Sequence, residues 1–427
     1  MSVAVLFFSL FALLFMGVPI AVALGLSTTI VILLFTDQPT LVIAQQMFTS
    51  LDKFALMAIP LFVLAGNFLS QGGAARRIIR FARSVVGHLP GGLPMSAIFA
   101  CIIFAAVSGS SPATVAAIGS IMISAIEDDG YAPSFSIGSI VCSGSLGILI
   151  PPSIVLIVYG VTVDQSIGKL FMAGVVPGLL LGGGLMLVTY LAAVRGGFKK
   201  TERAPMSEVW ASFKEASWGL LVVVIIIGGI YGGLFTPTEA AAVSAVYGFI
   251  VVKFIYKDLK WKQIPDVIRA SASTAAMIMF IIANAMVFAY LLTIEQIPQE
   301  LAAWIVSMNL NKVMFLVLVN IMLLVAGNFM EPSSLIMIIA PLIFPVAMQL
   351  GVDPIHLGVM ITVNMEVGML TPPVGLNLFV ASGISGRSLG EVVHASIPWF
   401  FALLVGLLII TYIPAISLWL PNLMYGS

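Results

Sequence analysis

The chain has very little charge. Asp, Glu, Lys and Arg together make up 8% of its 427 residues, whereas about a quarter of the residues of a soluble globular domain are charged. Hydrophobic residues make up 60%, and apolar stretches of roughly 18 residues or more, long enough to cross a bilayer as a helix, recur along the whole length. These stretches are continuous and do not alternate with a period of two, which argues against an outer-membrane barrel. The composition therefore predicts an all-α polytopic membrane protein.

Cysteine, histidine and enzyme motifs are also scarce. Cys101 and Cys142 lie in apolar runs without CxxC spacing, which is typical of buried free thiols rather than of a metal site or a disulfide. His88, His356 and His394 lie near loops or helix ends with no partner motif, and we interpret them as structural. The sequence contains no HExxH, GxSxG or Walker lysine motif and no basic cluster that would predict nucleic-acid binding. A transporter with this sequence would draw its energy from an ion gradient or from a partner.

The amino terminus could be mistaken for a signal peptide. Its first three residues carry no positive side chain, and the apolar run continues to Phe35, which is longer than a cleaved hydrophobic region. We expect this segment to be part of the mature protein.

The most informative pattern is a diproline that occurs twice in matching contexts, at 151–152 and 372–373. Well before each diproline, a short polar break interrupts an apolar run. The two breaks are Ser108-Gly109-Ser110-Ser111-Pro112 and Glu331-Pro332-Ser333-Ser334. Three pairs of landmarks repeat at nearly the same separation along the chain: Pro151 with Pro372, Ser110 with Ser333, and Pro19 with Pro237. The sequence therefore predicts two repeats, 1–210 and 211–427, joined by the hydrophilic stretch 195–214.

The two repeats contain the same order of segments. The first has apolar helices at 2–17, 18–35 and 54–71, an amphipathic arm helix at 74–86, a broken apolar run at 93–127, a helix interrupted at the diproline (133–165) and an unbroken helix at 167–194. The corresponding segments of the second are 217–235, 237–257, 270–293, 296–308, 313–350, 354–386 and 389–420. The arm helix is either an interfacial helix that follows the positive-inside rule or a brace between a moving and a fixed part.

The basic residues predict the orientation of the chain in the membrane. If each broken run enters and leaves the membrane at the same surface, three clusters of basic residues and Arg387 all lie on one side of the membrane. Only Lys53, Lys169 and Lys312 then lie on the other side. The broken runs are thus predicted to be re-entrant hairpins, the first open to the cytoplasm and the second to the outside. Five spanning helices per repeat would invert the second repeat, giving ten spanning helices and both termini outside the cytoplasm.

The hairpin tips and the diprolines carry the predicted chemistry. Ser110 or Ser111 is a good N-cap, and Pro112 fits a first helical turn, so a helix is expected to start at mid-membrane with free N–H groups and a partial positive charge. Pro332 predicts the same at the second tip. At the diprolines, the carbonyls of residues 147–150 and 368–371 lose their helical donors. Carbonyl and hydroxyl oxygens are suitable ligands for Na⁺, and helix N-termini are suitable for binding an anion. Transporters built from inverted repeats place both kinds of site at their discontinuous helices.

Several of these features also have a structural interpretation. A diproline in a membrane helix is commonly a kink, and a Ser-Gly-Ser-Ser segment is commonly a packing feature; their joint recurrence favours a functional site. Intramembrane carboxylates are functional candidates, which includes Glu331 and Glu366, although Glu331 could equally be an acid that satisfies the donors of a helix start. Asn364 and Asn377 bracket the second break, so at least one is expected to face the cavity. No arginine lies inside a spanning segment, so the anion is expected to be held by helix N-termini and by hydroxyls such as those of Thr114 and Ser153.

The sequence resembles the large membrane subunit (M subunit) of TRAP, or tripartite ATP-independent periplasmic, transporters over essentially its whole length. The segments that carry the resemblance are 58–62, 65–67, 108–114, 147–153, 331–334 and 371–377. The resemblance implies an elevator mechanism within the fold shared with divalent-anion/sodium symporters, in which each hairpin tip and the facing helix break bind one Na⁺. It implies a first sodium site at Ser108, Ser110, Ser111, Gly147 and Ile150. It implies a second at Glu331, Ser333, Ser334, Gly368 and Thr371, some through carbonyls, with helix breaks at Pro112, Pro151, Pro152, Pro332, Pro372 and Pro373. The symporters carry Ser-Asn-Thr at both tips, and this chain does not.

The resemblance also implies partners and a location. A small four-helix membrane subunit (Q) would pack against apolar segments such as 1–35, and we expect it to be a separate chain. A periplasmic binding protein (P) would deliver a carboxylate such as a sialic acid or a C4-dicarboxylate. The chain would lie in the bilayer of a bacterial inner membrane. We compare this expectation with two others: a stand-alone sodium/anion symporter of the same fold, and an intramembrane enzyme or scaffold.

Overall fold

The computed structural model describes residues 2–198, 202–300, 303 and 311–426, and within them the regular secondary structure is helical. The helices that precede the linker are α1 (Ser2–Phe15), α2 (Ile20–Phe35), α3 (Leu41–Leu51), α4 (Ala58–Gln71), α5 (Ala74–Val86), α6 (Gly92–Ser108), α7 (Ser111–Asp128), α8 (Pro133–Gly144), α9 (Ile154–Thr162) and α10 (Ile167–Arg195). Those that follow it are α11 (Met206–Tyr231), α12 (Pro237–Ile250), α13 (Ile264–Ile294), α14 (Lys312–Gly327), α15 (Pro332–Gln349), α16 (Pro354–Gly368), α17 (Leu376–Ser385), α18 (Leu389–Tyr412) and α19 (Ala415–Tyr425).

Short turns extend several of these helices. Residues Phe54–Met57 and Trp261–Gln263 form 3₁₀ turns before α4 and α13, Ser145–Ile148 forms one after α8, and Val251–Ile255 continues α12 as a π-helix. Seven of the described helical segments are long and apolar enough to cross a membrane. They are Phe54–Gln71, Ile167–Arg195, Met206–Tyr231, Pro237–Ile255, Trp261–Ile294, Pro332–Gln349 and Leu389–Tyr412.

Prolines set many of the helix starts. A proline stands in the first turn of α7, α8, α12, α13, α15 and α16, where its missing N–H would be unpaired in any case. The same prolines set the register between the repeats. The second helix of the hairpin begins at Ser111 in the first repeat and at Pro332 in the second. The first part of the broken helix begins at Pro133 and at Pro354, so both pairs of helix starts are separated by the same number of residues.

The structure corrects four details of the segment boundaries. The helix predicted at 217–235 begins earlier, at Met206, inside the stretch assigned to the linker. The helix predicted to be unbroken over 389–420 is two helices: α18 ends at Tyr412, because Pro414 cannot donate the next helical hydrogen bond, and α19 begins at Ala415. The helix α3 was not predicted, and α13 is longer than 270–293. The second arm helix, predicted at 296–308, falls largely outside the described residues.

Each broken run is a helical hairpin whose two ends lie together. In the first hairpin, α6 and α7 turn at Gly109, which has a left-handed φ of +62°, and Gly92 and Asp129 at its two ends line one surface pocket together with Glu202 of the linker. In the second hairpin, α14 and α15, Lys312 Nζ at the start donates to the Gly351 carbonyl just after the end, at 2.7 Å. Each hairpin therefore begins and ends at one face of the molecule.

The arm helix α5 is joined to the linker region by ion pairs. Arg80 contacts Glu208 at 2.9 Å and Glu215 at 2.7 Å, both on α11, and its hydrogen bonds with these two carboxylates raise the pKa of its guanidinium. Arg77 pairs with Asp258 at 2.6 Å and lies over the Tyr256 ring at 3.7 Å. The arm helix therefore contacts both of the other basic segments predicted to share its side, and it braces them together.

The opposite group of basic residues makes different contacts. Lys53 Nζ donates to the Val161 carbonyl in the last turn of α9, at 3.1 Å, and Lys312 contacts the end of α15 as described above. Lys169 lies 5.7 Å from the centroid of the Tyr425 ring. These contacts pair each predicted outward-side lysine with a neutral partner.

Cysteine labelling tests the predicted inversion of the two hairpins. The native Cys101 and Cys142 are buried, whereas Asp129 and Gln349 at the open ends of the hairpins are exposed. A membrane-impermeant maleimide should label the Gln349→Cys variant in right-side-out vesicles and the Asp129→Cys variant only in inverted vesicles. The unsubstituted chain is the control for background labelling, and labelling of both variants from one side would contradict the inversion.

Candidate functional site

A cavity of about 350 Å³ lies where the two hairpin tips approach each other. Both tips, both diproline breaks and the helices α4 and α13 contribute to its wall. The lining residues are Val63, Gly66, Asn67, Ser108, Gly109, Ser110, Pro112, Ala113, Ile148, Ile154, Val155, Thr274, Met277, Ile278, Ile281, Glu331, Pro332, Ser333, Met369 and Leu376. Of the predicted sodium ligands, Ser108, Ser110, Glu331 and Ser333 therefore lie at one cavity.

The first tip presents the start of α7 to this cavity. Ser110 is the N-cap residue, in extended conformation, and its side chain makes no capping hydrogen bond. The neighbouring hydroxyls are used internally: Thr114 Oγ1 lies 2.7 Å from Ser108 Oγ and donates to the Ser110 carbonyl at 2.9 Å. Thr114, predicted to bind substrate, is fully buried, and its hydroxyl contacts other residues of the tip.

The first break packs directly on the first tip. A Cβ added to Gly147 would lie 2.6 Å from the carbonyl oxygen of Ser110 and 2.9 Å from Cα of Ser111. Only a glycine permits this approach of two backbones. The structure thus brings together Ser110, Ser111 and Gly147 of the predicted first sodium site.

Ser153 has a capping role at the same break. It is the N-cap of α9, accepts a hydrogen bond from the Leu156 N–H at 3.2 Å and donates its hydroxyl to the Ile148 carbonyl. Its hydroxyl is buried and committed to the backbone. Ser153, also predicted to bind substrate, therefore stabilises the broken backbone.

The second tip has an acid where the first has a serine. Glu331 is the N-cap of α15: one carboxylate oxygen accepts from the Ser334 N–H at 3.1 Å and from its hydroxyl at 3.2 Å. The other oxygen accepts from Ser333 Oγ at 2.8 Å. The carboxylate thus acts as an N-cap, and it is also the one ionisable group among the cavity-lining residues of the described chain.

The second break is fastened to the second hairpin and to itself. The Val374 N–H donates to the Asn328 carbonyl at 3.0 Å, and the Asn377 N–H donates to the Met369 carbonyl at 3.3 Å. Gly368 packs against Gly327, since a Cβ on Gly368 would lie 3.1 Å from Cα of Gly327. The predicted ligand Gly368 therefore packs against the end of α14, the first helix of the second hairpin.

Each break leaves a predicted carbonyl oxygen without a donor, whereas the Ile148 carbonyl accepts from Ser153 and the Gly368 carbonyl accepts from the Thr371 N–H at 3.0 Å. Within the described residues, no hydrogen bond is directed at the carbonyl of Ile150 or of Thr371, while the Thr371 hydroxyl donates to the Val367 carbonyl at 3.0 Å. The breaks differ in exposure: Pro151 and Pro152 are buried, whereas Pro372 and Pro373 are exposed.

The two asparagines near the second break make different contacts. Asn364 donates to Asn320 of α14 at 2.9 Å, away from the cavity and within the same half of the chain. Asn377 donates to Ser111 at the first tip, at 2.7 Å. Glu366, which precedes the second break on α16, is fully buried, and neither of its carboxylate oxygens has a partner within the described residues.

Part of the wall was missed by the sequence interpretation. The α13 residues Thr274, Met277, Ile278 and Ile281 line the cavity, and Asn67 of α4 donates to Ser271 of α13 at 2.8 Å. The sequence did contain a signal, since Ser271, Ser273 and Thr274 form a small polar patch in a largely apolar helix. This patch contains no proline or glycine that would break the helix, and it was therefore not predicted to be part of a site.

The arrangement suits a small anion held between two helix starts. The N-termini of α7 and α15 both reach the cavity, and the partial positive charge there attracts an anion. A cation bound at the free carbonyl and hydroxyl oxygens nearby would add to this attraction. The cavity contains no basic side chain among its described lining residues that could replace it.

Comparisons with known proteins identify the family. Residues 7–416 match the family of the DctM component of tripartite ATP-independent periplasmic transporters. The chain is 54% identical over 400 residues to the C4-dicarboxylate TRAP transporter large permease protein DctM of Pseudomonas aeruginosa, with 94% of each chain covered. It is 42% identical over 417 residues to the isethionate TRAP transporter permease protein DctMQ of Oleidesulfovibrio alaskensis, covering 96% of this chain and 65% of that longer protein.

A solved structure shows the same fold. The crystal structure of the YdaH transporter of Alcanivorax borkumensis matches this chain with a TM-score of 0.60 at 17% sequence identity. The match covers 88% of this chain and 90% of that one. The prediction of an all-helical transporter fold is therefore confirmed.

Gly147 tests the contact between tip and break. A Gly147→Ala substitution should lower the free energy of unfolding by about 1–3 kcal/mol, because the new methyl group would overlap backbone atoms that cannot move independently. Thermal unfolding of the purified protein measures this. Gly183→Ala is the matched control, since a Cβ there meets no atom within 4 Å. Equal unfolding temperatures for the two variants would contradict the close approach.

Proposed function

The chain belongs to the family of DctM components, the large permease subunits of TRAP transporters, and on this premise we propose that it is the sodium-coupled translocating subunit of a C4-dicarboxylate importer. One observation carries this proposal: two hairpin tips and two helix breaks, which come from opposite halves of the chain, line a single cavity. Non-helical backbone at membrane depth is tolerated where it lines a cavity or is buried in protein.

The coupling ions would bind on either side of this cavity. At the first site, the free carbonyl of Ile150 and the uncommitted hydroxyl of Ser110 are available oxygens. At the second, the carbonyl of Thr371 and the carboxylate of Glu331 are available, although Glu331 would have to share its oxygens with the serines that it caps. Hard oxygen ligands of this kind suit Na⁺, and the ions would supply the positive charge that the cavity lining lacks.

The substrate would be a small organic dicarboxylate. Its carboxylates would face the starts of α7 and α15, which meet the cavity from the two halves. We favour a C4-dicarboxylate over a sialic acid because the relative at 54% identity carries that name. A cavity of about 350 Å³ is within the usual range for small-ligand sites.

The transport motion would move the cavity between the two sides of the membrane. The tips and breaks form one wall, and α4 and α13 form the other. In an elevator mechanism the first group would slide along the second. The ion-paired arm helix α5, which contacts α11 and the loop after α12, would hold the fixed part in place during this movement.

Two partners would complete the importer. A small membrane subunit is supported by the longer DctMQ relative, whose name joins two components in one protein. The apolar face of α1 and α2 would receive it, because Phe8, Phe15 and Leu34 are largely exposed there. A periplasmic binding protein would deliver the substrate, and the complex would lie in the bacterial inner membrane.

Uptake by proteoliposomes tests this function. Vesicles containing this chain and its small subunit should accumulate radiolabelled succinate only with an inward Na⁺ gradient and only with the binding protein present. A K⁺ gradient of the same size is the control, and radiolabelled sialic acid tests the other substrate class. Sodium-dependent uptake without the binding protein would favour the stand-alone symporter of the same fold. The absence of Na⁺ dependence would contradict the proposed coupling.

The hydroxyl of Ser110 provides a test of the first ion site. Because this hydroxyl makes no capping bond, its removal in Ser110→Ala should leave the fold intact and raise the half-saturating Na⁺ concentration about tenfold, the loss expected for one interaction with a charged group. Ser120→Ala is the control, since Ser120 lies on the same helix and donates only to the Ala117 carbonyl. An unchanged Na⁺ dependence in Ser110→Ala would remove Ser110 from the site.

A further inference from the structure

A hydrogen bond joins the second helix break to the first hairpin tip. Asn377 lies in the first turn of α17, just after the second diproline, and its Nδ2 donates to Ser111 Oγ at 2.7 Å. Both residues are fully buried. Through its backbone N–H, Asn377 is also fastened to Met369 at the start of its own loop. One residue thus holds parts of both halves of the chain.

Ser111 is in turn in contact with the first break. Its Cα is among the atoms that leave room only for a glycine at position 147, together with the carbonyl of Ser110. A displacement of Ser111 would therefore change the surroundings of residues 147–150. A continuous chain of contacts leads from the second diproline loop through Asn377 and Ser111 to the first break.

The side-chain amide of Asn377 makes this link through its nitrogen only, and its oxygen takes no part in it. This Oδ1 is buried and has no hydrogen-bond partner within the described residues, although buried amide oxygens are ordinarily paired. The amide is thus held only through its donor group and through the backbone. Its position depends on whether the second loop and the first tip are both ordered.

We propose that Asn377 couples the two cation sites, so that a cation bound at one raises the affinity of the other. This inference rests on the proposed function, which supplies the two sites. A cation at the second break orders the loop that carries Asn377, and Asn377 then holds Ser111 and the first tip in their binding arrangement. The first ion to bind orders the loop and the tip at a cost in free energy, and the second ion does not incur that cost again. The second ion therefore binds more tightly, which is positive cooperativity. Asn377 is a positioning residue in this scheme and not a substrate ligand.

Asn364 provides a matched control. It is an equally buried asparagine, it also has an unpaired Oδ1 within the described part of the chain, and it lies on the other part of the same broken helix. Its hydrogen bonds, however, go to Asn320 in the hairpin of its own half. Removing it should disturb local packing to a similar degree without breaking the link between the halves.

The test is the Na⁺ dependence of succinate uptake, together with the Na⁺ dependence of the unfolding temperature of the purified protein. The unsubstituted chain should give a Hill coefficient of about 2, the upper bound for two sites. Asn377→Ala should lower it toward about 1 and raise the half-saturating Na⁺ concentration at least about fivefold, a typical coupling factor. Asn364→Ala should keep the original Hill coefficient. If Asn377→Ala does not fold, Asn377→Ser, whose side chain is too short to reach Ser111, replaces it.

The outcomes separate this inference from the proposed function. No Na⁺ dependence in the unsubstituted chain would overturn the proposed function itself, whereas Na⁺-dependent uptake with a Hill coefficient of about 1 in that chain would overturn the coupling. A cooperative unsubstituted chain whose Asn377→Ala variant remains equally cooperative would overturn only the coupling role. The same loss in Asn364→Ala and Asn377→Ala would also overturn that role, because it would show a general effect of packing.

Discussion

A polypeptide that stops being helical within a membrane must find new partners for the backbone groups that it frees. The described chain does this at four places, two tips and two diprolines, and the surrounding structure follows from the solutions. At the first break the Ser153 side chain takes up an N–H and a carbonyl. At the second break the partners are the carbonyls of Asn328 and Met369. These partners do not reach the carbonyls of Ile150 and Thr371, at which no hydrogen bond is directed within the described residues.

The hairpin tips and helix breaks of the two halves differ in the charge and exposure of their residues. The first tip begins its inner helix with a neutral serine and packs against a buried diproline. The second begins with a carboxylate that is saturated by serine donors and lies near an exposed diproline. The two halves therefore share a backbone plan without sharing electrostatics. A cation at the second site would compete with hydrogen bonds already made to Glu331, and a cation at the first would not, so the two sites need not bind with equal affinity.

The sequence predicted the helix breaks well because their causes are local. Proline removes a donor and fixes a backbone angle wherever it occurs, so Pro112, Pro332 and the two diprolines could be placed without knowledge of the fold. The roles of side chains were harder to predict, because they depend on what faces them. Thr114 and Ser153 bind their own backbone, and Asn377 meets a residue 266 positions away. The contribution of α13 to the cavity also depends on tertiary packing, since Thr274 and Met277 belong to an unbroken helix.

Two of the three lysines predicted to lie on the sparsely charged side make the same kind of contact. Lys53 and Lys312 each donate to a carbonyl at or just beyond the carboxyl end of a helix, where the helix dipole presents partial negative charge. In the folded protein these two cations therefore serve as C-terminal caps, and their charges are partly neutralised in place. Lysines that the charge bias leaves isolated thus strengthen the ends of α9 and α15.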